Sequence, residues 1–209
     1  MKLAICQFLY YLGHYYLPIF VLLLVILSAN FCHLGVLMLR RKVTDRLLSW
    51  KNNSNKALLV TGARQIGKSY AIRAFGKGNY ASYFEVNLLL DAEARDVLID
   101  AKNAVDFINR VALLADAPLV EGDTLVFVDE IQEYPQIVTL MKALVEDGRF
   151  SYVFSGSMLG TEFKGISSFP VGYVEHVVMR PMDFEEFCWA NGVSENVLAD
   201  IRNCLVERR

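Results

Sequence analysis

The chain has 209 residues and a formal net charge of −2, with 54% hydrophobic and 21% charged residues. This length predicts one domain with a short appendage, and the weakly acidic charge gives no basic field that would favour nucleic-acid binding. The four cysteines lack Cys-x-x-Cys spacing and nearby histidines, which indicates reduced thiols rather than a disulfide framework or a metal site.

The first predicted element is a hydrophobic N-terminal segment, residues 1–39, whose only charged residue is Lys2. At about 1.5 Å per residue, a helix over residues 17–39 is about 34 Å long, which is enough to span a bilayer. Tyrosines precede this helix, as at a membrane interface, and a basic run at residues 40–42 follows it. Because basic residues favour the cytoplasmic side, this interpretation predicts a single-pass membrane protein with a cytoplasmic domain.

A second interpretation of the N-terminal segment stays open. Met38 is followed by the basic run and by a helix predicted from Thr44 to Trp50, so Met38 is a plausible alternative start. The preceding residues would then be upstream sequence translated in frame, and the protein would be cytoplasmic.

A phosphate-binding loop is predicted at residues 62–69. Its residues are Gly62, Ala63, Arg64, Gln65, Ile66, Gly67, Lys68 and Ser69, which match the pattern G-x-x-x-x-G-K-[ST]. An apolar strand at residues 57–61 precedes the loop, and a helix is predicted to follow it. This order of strand, loop and helix is the context in which the pattern binds nucleotide phosphates.

The chemistry of this loop predicts ATP and Mg²⁺ as ligands. Gly62 and Gly67 permit backbone angles that let the amides turn inward around an anion. The positive end of the following helix favours the same anion. Lys68 is expected to reach the β- and γ-phosphates, and the Ser69 hydroxyl is expected to ligate Mg²⁺.

A second motif follows the apolar run at residues 125–128, which is typical of a strand buried on both faces of a parallel sheet. The run ends in Asp129 and Glu130, and two carboxylates at such a position are costly unless they have a function. We expect Asp129 to bind the Mg²⁺ shell and Glu130 to polarise the attacking water. The alternative is that Asp129 only caps a helix that starts at Ile131.

A serine pair marks the end of another predicted strand, at residues 151–155. In P-loop ATPases of the additional-strand type, a small polar residue at this place senses the γ-phosphate. Ser155 is therefore the first candidate for a catalytic sensor and Ser157 the second. The alternative is ordinary turn chemistry, because Ser-Gly-Ser is common after strands.

The remaining elements complete an α/β pattern. Further strands are predicted at residues 82–87 and 174–179, a helical region at 91–114 with Asp91 as its cap, and a helix from Pro135 to near Gly148. Alternating strands and helices predict a parallel sheet with helices on both faces and the ligand at the carboxyl ends of the strands. Numbered along the chain, the five strands are expected in the order 5-1-4-3-2.

Together these motifs resemble a known family, the prokaryotic AAA-type (AAA+) P-loop ATPases that carry a C-terminal domain of unknown function. The resemblance covers about residues 38–192. Its motifs are the loop at 62–69, Asp-Glu-Ile-Gln at 129–132 followed by Pro135, Ser-Gly-Ser at 155–157 and Arg-Pro-Met-Asp-Phe-Glu-Glu-Phe at 180–187. It implies an AAA+ ATPase core at residues 40–192 that binds ATP with Mg²⁺.

The chain departs from the family's pattern in two ways. Many relatives have Gly-Arg before the last core strand, and that arginine is a candidate finger or sensor, whereas this chain has Gly172 and Tyr173. Relatives also continue into a further domain, so residues 193–209 are expected to be the truncated start of a missing C-terminal region. Both departures predict slow hydrolysis by the isolated chain.

Three functions fit the sequence. The first is an ATP hydrolase of AAA type that acts on an unknown protein partner, as a single chain or a homo-oligomer. The second is a nucleotide-binding switch or interaction module with little or no turnover. The third is a P-loop kinase, against which the adjacent Asp129 and Glu130 and the lack of an arginine-rich lid argue.

The membrane interpretation makes a direct prediction about the protein expressed from Met1. It should sediment with membranes and resist carbonate extraction, because the helix at residues 17–39 would lie in the bilayer. Its ATPase domain should be accessible from the cytoplasmic side. Detection of a native polypeptide whose first peptide begins at or after Met38 would show instead that the anchor is an artefact of the assigned start.

Overall fold

The structure is a computed structural model that describes residues 39–157, 170 and 172–206. The chain divides into two compact units. One comprises residues 41–182, and the other combines the residues up to Arg40 with residues 183–209. The predicted phosphate-binding loop, the Asp-Glu pair and the Ser-Gly-Ser segment all lie in the first unit. The domain boundaries drawn from the sequence, at residues 40 and 192, stay a prediction.

The unit of residues 41–182 alternates strands and helices. Its elements are α1 (Lys42–Asn53), β1 (Ala57–Gly62), α2 (Lys68–Asn79), β2 (Ser82–Asn87), α3 (Ala92–Ile99), α4 (Ala104–Leu114), β3 (Thr124–Asp129), a 3-10 turn (Ile131–Glu133), α5 (Ile137–Asp147), β4 (Ser151–Ser157) and β5 (Val174–Val178). The predicted strands are confirmed, each within two residues at its ends.

The five strands form one parallel sheet in the order β2-β3-β4-β1-β5. This order is the predicted 5-1-4-3-2 viewed from the other edge. The pairing sets Asn87 opposite Asp129 and Gly62 opposite Ser157. As a result, the carboxyl ends of β2, β3, β4 and β1 lie side by side at one end of the sheet, and the predicted catalytic residues lie along this end.

The alternation of side chains along the central strands explains why helices cover both faces of the sheet. Along β3, Val126 and Val128 belong to one buried cluster, which includes side chains of α3, α4 and α5. Leu125 and Phe127 belong to a second cluster, formed with α1 and α2. Every residue of β1 and β3 is buried, so the residues at the ends of these strands are fixed by a core on either side.

The helical region predicted at residues 91–114 is two helices rather than one. Asp91 caps α3 as expected, accepting a hydrogen bond from the backbone N–H of Ala94. A second cap, Asn103, accepts from the N–H of Asp106 and starts α4. Asparagine in extended conformation bonds the free amides of a new helix, which is why the chain breaks between Ile99 and Ala104.

The helix predicted to open at Pro135 begins slightly later. A 3-10 turn at Ile131–Glu133 comes first, and α5 then starts at Ile137. The helix ends where predicted, because Gly148 adopts the left-handed conformation and closes it.

The other unit contains α6 (Phe184–Ala190) and α7 (Glu195–Val206). Asp183 and Glu186 form a reciprocal capping box at the start of α6. Arg40 donates to Glu195 at 2.7 Å and lies over the ring of Trp189.

None of the helices within residues 39–157 and 172–206 is both long enough and apolar enough to cross a membrane. The transmembrane helix predicted at residues 17–39 lies outside the described residues, except for Leu39.

Candidate nucleotide-binding site

The predicted loop connects β1 to α2, and its first residue must be glycine. The backbone N–H of Met179 donates to the Thr61 carbonyl at 2.7 Å, which brings the chain after β5 against the loop. A Cβ atom on Gly62 would lie 2.2 Å from the Met179 carbonyl oxygen. The close approach of two backbones thus excludes any side chain at the start of the loop.

Gly67 ends the loop and begins α2. Its φ of 88° lies in the left-handed region, which favours glycine. It provides no side-chain cap, and the first turn of α2 contains no acidic residue. Neither group competes for the first amides of this 12-residue helix, so these amides and the positive end of the helix dipole can bind an anion.

The ammonium group of Lys68 folds back onto the loop. Lys68 is only 5% exposed, and its Nζ donates to the carbonyls of Gly62 and Ala63 at 3.1 and 2.8 Å. Residues 63–65 are exposed at the surface. A cation supported by the loop's own carbonyls, beneath an exposed turn, has the arrangement that suits a bound phosphate chain.

Asp129 is the centre of a hydrogen-bond cluster and is 2% exposed. Its carboxylate accepts bonds from two side chains of other elements, Ser69 Oγ at 2.6 Å and Asn87 Nδ2 at 3.0 Å. It also accepts from Ser155 Oγ and, at 3.0 Å, from the backbone N–H of Glu130. The carboxylate therefore does more than cap the following turn.

The cluster joins the two residues that the sequence predicts as metal ligands, Ser69 and Asp129. Their hydroxyl and carboxylate oxygens are hard ligands of the kind that Mg²⁺ prefers, and such sites use one or two protein oxygens together with substrate phosphates. Groups of three or more histidine, cysteine, aspartate or glutamate side chains suited to a metal are absent from the part of the chain that the structure describes. A P-loop magnesium site does not require one.

Glu130 has an unusual backbone conformation for a residue with a side chain. Its φ of 57° lies in the left-handed region, and it precedes the 3-10 turn. One of its carboxylate oxygens accepts a hydrogen bond from Nε2 of Gln132. Backbone strain of this kind is common at functional sites, because the surrounding structure must hold it in place.

The two candidate sensor serines occupy different levels of β4. Ser155 is fully buried, pairs in register with Val60 and donates to Asp129. Ser157 points to the same face two residues further along and pairs with Gly62. Of the two, Ser157 is the one that lies level with the start of the phosphate-binding loop.

Asn87 belongs to the site and was missed by the sequence reasoning. Its side-chain nitrogen donates to Asp129, while its Oδ1 accepts from the backbone amides of Leu89 and Leu90. A signal was available, since the strand predicted at residues 82–87 ends in Asn87. In the predicted strand order, that end lies beside Asp129.

Arg41 is a second residue of the site that the sequence did not indicate. The sequence suggested only that it flanks a membrane helix, but its guanidinium is largely buried. It donates to the carbonyl of Ile66, within the loop, at 3.0 Å and to that of Arg180 at 2.8 Å. Arg41 thus braces the loop against the chain that follows β5, and no local sequence pattern could have indicated this contact.

An ion-pair cluster fixes α2 to the edge strand β2. Arg73 donates through two nitrogens to Glu85, at 2.7 and 2.6 Å, and the Tyr83 hydroxyl donates to the same carboxylate at 2.8 Å. Burial alone would raise the pKa of Glu85, but the two donors outweigh it and lower that pKa. Burial, together with the bond to Glu85, raises the pKa of Tyr83.

Tyr173, at the position where the family resemblance predicts an arginine, lies beside the amino-terminal end of β1, whereas the loop follows the carboxyl end of that strand. Its carbonyl accepts from the N–H of Ala57, the first residue of β1, and its hydroxyl donates to Glu146 at 2.9 Å. The loop begins five residues later, which at about 3.3 Å per residue is about 17 Å away. An arginine at this position would be too far away to reach the phosphates bound by its own chain.

A parallel sheet with this strand order, a glycine loop after β1 and an acidic pair after β3 define an α/β P-loop protein with an ATPase-type nucleotide site. The family described as "AAA domain" matches residues 54–188, which is more than half of the chain. The protein therefore belongs to the AAA domain family.

Comparison with solved structures supports the same fold. A chain in the structure of Drosophila ORC bound to DNA superimposes with a TM-score of 0.51 at 15% sequence identity. The match covers 88% of this chain and 51% of that one, so the chain spans about half the length of this neighbour. No curated protein matches in sequence.

Lys68→Ala should weaken the binding of Mg-ATP strongly, because the phosphate chain would lose a charge-assisted contact inside the loop. Lys77→Ala, at the exposed far end of α2, is the matched control and should bind as the wild type does. Isothermal titration calorimetry measures both. Equal affinity of Lys68→Ala and the wild type would contradict the assignment of the loop.

Proposed function

We propose that this protein is a Mg²⁺-dependent ATP hydrolase of AAA type whose turnover is coupled to a partner protein. The observation that supports this most directly is the hydrogen bond between Ser69 and Asp129. It joins the loop to the acidic strand end at 2.6 Å, so that one ion can be held by both. The fold alone would not require this contact, since it depends on two side chains from separate elements.

Each residue of the site has a proposed role. The amides of residues 62–69 and the Lys68 ammonium bind the phosphates, and Ser69 and Asp129 hold the metal. Mg²⁺, when bound by Ser69 and Asp129, would supply positive charge that neutralises the negative charge developing on the phosphates. Glu130 accepts a hydrogen bond, and then a proton, from the attacking water.

The two serines of β4 divide the remaining work. Ser155 belongs to the catalytic site through Asp129, because its hydroxyl bonds that carboxylate and limits its rotation. Ser157 lies level with Gly62 and is the better placed of the two to sense the γ-phosphate. On this proposal, loss of Ser155 disturbs the metal ligand, whereas loss of Ser157 disturbs discrimination between ATP and ADP.

Glu130→Gln should retain Mg-ATP binding and lower the hydrolysis rate by a factor on the order of 10² or more, the usual effect of losing a general base. Glu133→Gln is the matched control, since Glu133 lies exposed in the 3-10 turn that follows Glu130. Steady-state phosphate release measures turnover in both variants. Unchanged turnover in Glu130→Gln would show that this carboxylate is not catalytic.

A second candidate function is a nucleotide-dependent switch with little turnover. The position of Tyr173 favours it, because neither this residue nor an arginine in its place could reach the phosphates of the same chain. An arginine finger accelerates phosphoryl transfer by roughly 10³–10⁵. Any such group at this site would have to come from another residue or another subunit, and the AAA+ fold is compatible with assembly into a homo-oligomer.

The switch function predicts slow hydrolysis by the isolated chain. The rate per chain should rise with protein concentration if a neighbouring subunit completes the site, and Tyr173→Arg should raise it further only under conditions where subunits assemble. Phosphate release across a dilution series, with light scattering on the same samples, measures both. Brisk hydrolysis that is independent of concentration would eliminate the switch function.

The location of this activity rests on the N-terminal segment. We propose that residues 17–39 anchor the ATPase unit to the inner face of a cell membrane, with a cytoplasmic protein starting at Met38 as the alternative. Neither version changes the site, because every residue with a proposed role lies between Gly62 and Ser157.

A further inference from the structure

Gln132 lies two residues after Glu130, and its side chain contacts the Glu130 carboxylate. The Nε2 atom donates a hydrogen bond to one carboxylate oxygen. Because an ionised carboxylate only accepts hydrogen bonds, the nitrogen of the amide must be the atom that faces it. The carbonyl oxygen Oε1 of Gln132, which lies in the same amide plane, is therefore directed away from that carboxylate oxygen.

The Oε1 atom of Gln132 is buried, and no hydrogen-bond donor among the described residues reaches it. A buried acceptor without a donor is unfavourable, and each such group in a folded protein requires an explanation. An apolar side chain of similar length would avoid this penalty. The glutamine is thus a poor choice for stability at this position, which is a common property of functional residues.

The backbone holds Gln132 and Glu130 in a fixed relation. The N–H of Glu133 donates to the Glu130 carbonyl, and the N–H of Tyr134 donates to that of Ile131, both at 3.0 Å. The Tyr134 hydroxyl then donates to the carbonyl of Ile99 and ties the turn to α3. With the backbone fixed in this way, the hydrogen bond from the Gln132 amide restrains the Glu130 side chain.

We propose that Gln132 is a positioning residue for the attacking water. Its Nε2 holds the Glu130 carboxylate in one orientation, and its Oε1 accepts a hydrogen bond from the water that Glu130 activates. The inference rests on the proposed ATPase function and adds a second acceptor to that site. Two acceptors fix both O–H bonds of the water, so that an oxygen lone pair faces the γ-phosphorus.

The reaction at this water is a hydrolysis. The water oxygen forms a bond to the γ-phosphorus, and the bond from phosphorus to the β–γ bridging oxygen breaks, leaving its electron pair on ADP. One water proton passes to the Glu130 carboxylate and leaves it when the site resets. Gln132 transfers no proton, so its contribution is orientation alone.

The opposite role, in which Gln132 restrains Glu130 in an inactive position, fits the structure less well. Restraint of Glu130 would require only the hydrogen bond from Nε2, and that bond is present in both interpretations. It would leave the buried Oε1 without a purpose. A water-positioning role accounts for both ends of the amide.

The test compares three variants of the full-length protein. Gln132→Met keeps the length of the side chain and removes both hydrogen-bonding groups. Gln132→Glu keeps the shape but replaces the donor by an acceptor. Gln136→Met is the matched control, because Gln136 is exposed and its side chain makes no capping bond at the start of α5.

Single-turnover hydrolysis, with protein in excess over Mg-ATP, should be about 5- to 100-fold slower in Gln132→Met than in the wild type, the range expected for loss of one buried hydrogen bond at the transition state. Its Kd for Mg-ATP should stay within about two-fold of the wild-type value if the residue acts on the water alone. Thermal unfolding should show nearly unchanged stability, because removal of the unsatisfied Oε1 acceptor offsets loss of the Nε2 bond to the partly exposed Glu130. A purely structural role predicts the reverse, a less stable protein with unchanged chemistry.

Gln132→Glu tests the donor separately from the shape of the side chain. It replaces the amide donor by a carboxylate that repels Glu130, so single-turnover hydrolysis should be slowed at least as much as in Gln132→Met. Gln136→Met should hydrolyse ATP at the wild-type rate. A wild-type rate in Gln132→Glu would overturn the inference.

A second measurement decides the matter even if turnover is very slow. The complex of ADP, Mg²⁺ and fluoroaluminate mimics the phosphoryl group in transfer with water opposite. Gln132→Met should bind it more weakly than the wild type, by the factor seen in the rate, and bind ADP equally well. Equal binding of the mimic, or faster hydrolysis by Gln132→Met, would overturn the positioning role.

Failure of the proposed function is distinguishable from failure of this inference. If neither turnover nor mimic binding responds to Glu130→Gln, the ATPase function is wrong and the role of Gln132 falls with it. If Glu130→Gln responds as expected and Gln132→Met does not, only the role of Gln132 is wrong.

Discussion

The buried carboxylate of Asp129 is the interaction on which the rest of the site depends. Removing a carboxylate from water costs several kcal/mol of folding free energy. Each hydrogen bond to a charged group contributes about 1.5–3 kcal/mol of stability. Asp129 accepts four such bonds, so its burial is offset. Three of the donors are side chains that lie on α2, β2 and β4. The positions of these elements against β3 therefore set the geometry of the site, and a shift of one residue in the pairing of β2 or β4 with β3 would remove one of the donors.

The phosphate-binding loop is also fixed at its base by the chain that follows β5 and by Arg41. Met179 approaches Gly62 so closely that no Cβ atom fits, and Arg41 ties Ile66 to the chain after β5. The loop therefore has little freedom at its base, while its exposed residues 63–65 can accept a ligand. A rigid base with donors already in place is the arrangement expected of a site that binds phosphate without rebuilding itself.

Much of this could be predicted from the chain itself. The strand order could be expected from the loop after the first strand and the acidic pair after the third, together with the resemblance to P-loop ATPases of the additional-strand type. The break between α3 and α4 could not be predicted from apolar spacing, since both helices continue the same periodicity. It depends on the Asn103 side chain bonding a backbone amide. Asn87 was predictable in principle, since the predicted order places the end of its strand beside Asp129.

The sequence by itself determined the parallel α/β fold, the loop at residues 62–69 and the pair Asp129 and Glu130, because glycine positions, charges and apolar runs are local properties of the chain. Only the tertiary structure decided that Arg41 braces the loop and that Ser155 bonds Asp129 rather than facing the loop. It also decided that Tyr173 lies at the end of the sheet opposite the loop. These contacts join residues from 25 to 139 positions apart. Their geometry depends on strand register and side-chain direction, which arise only when both faces of the sheet are packed.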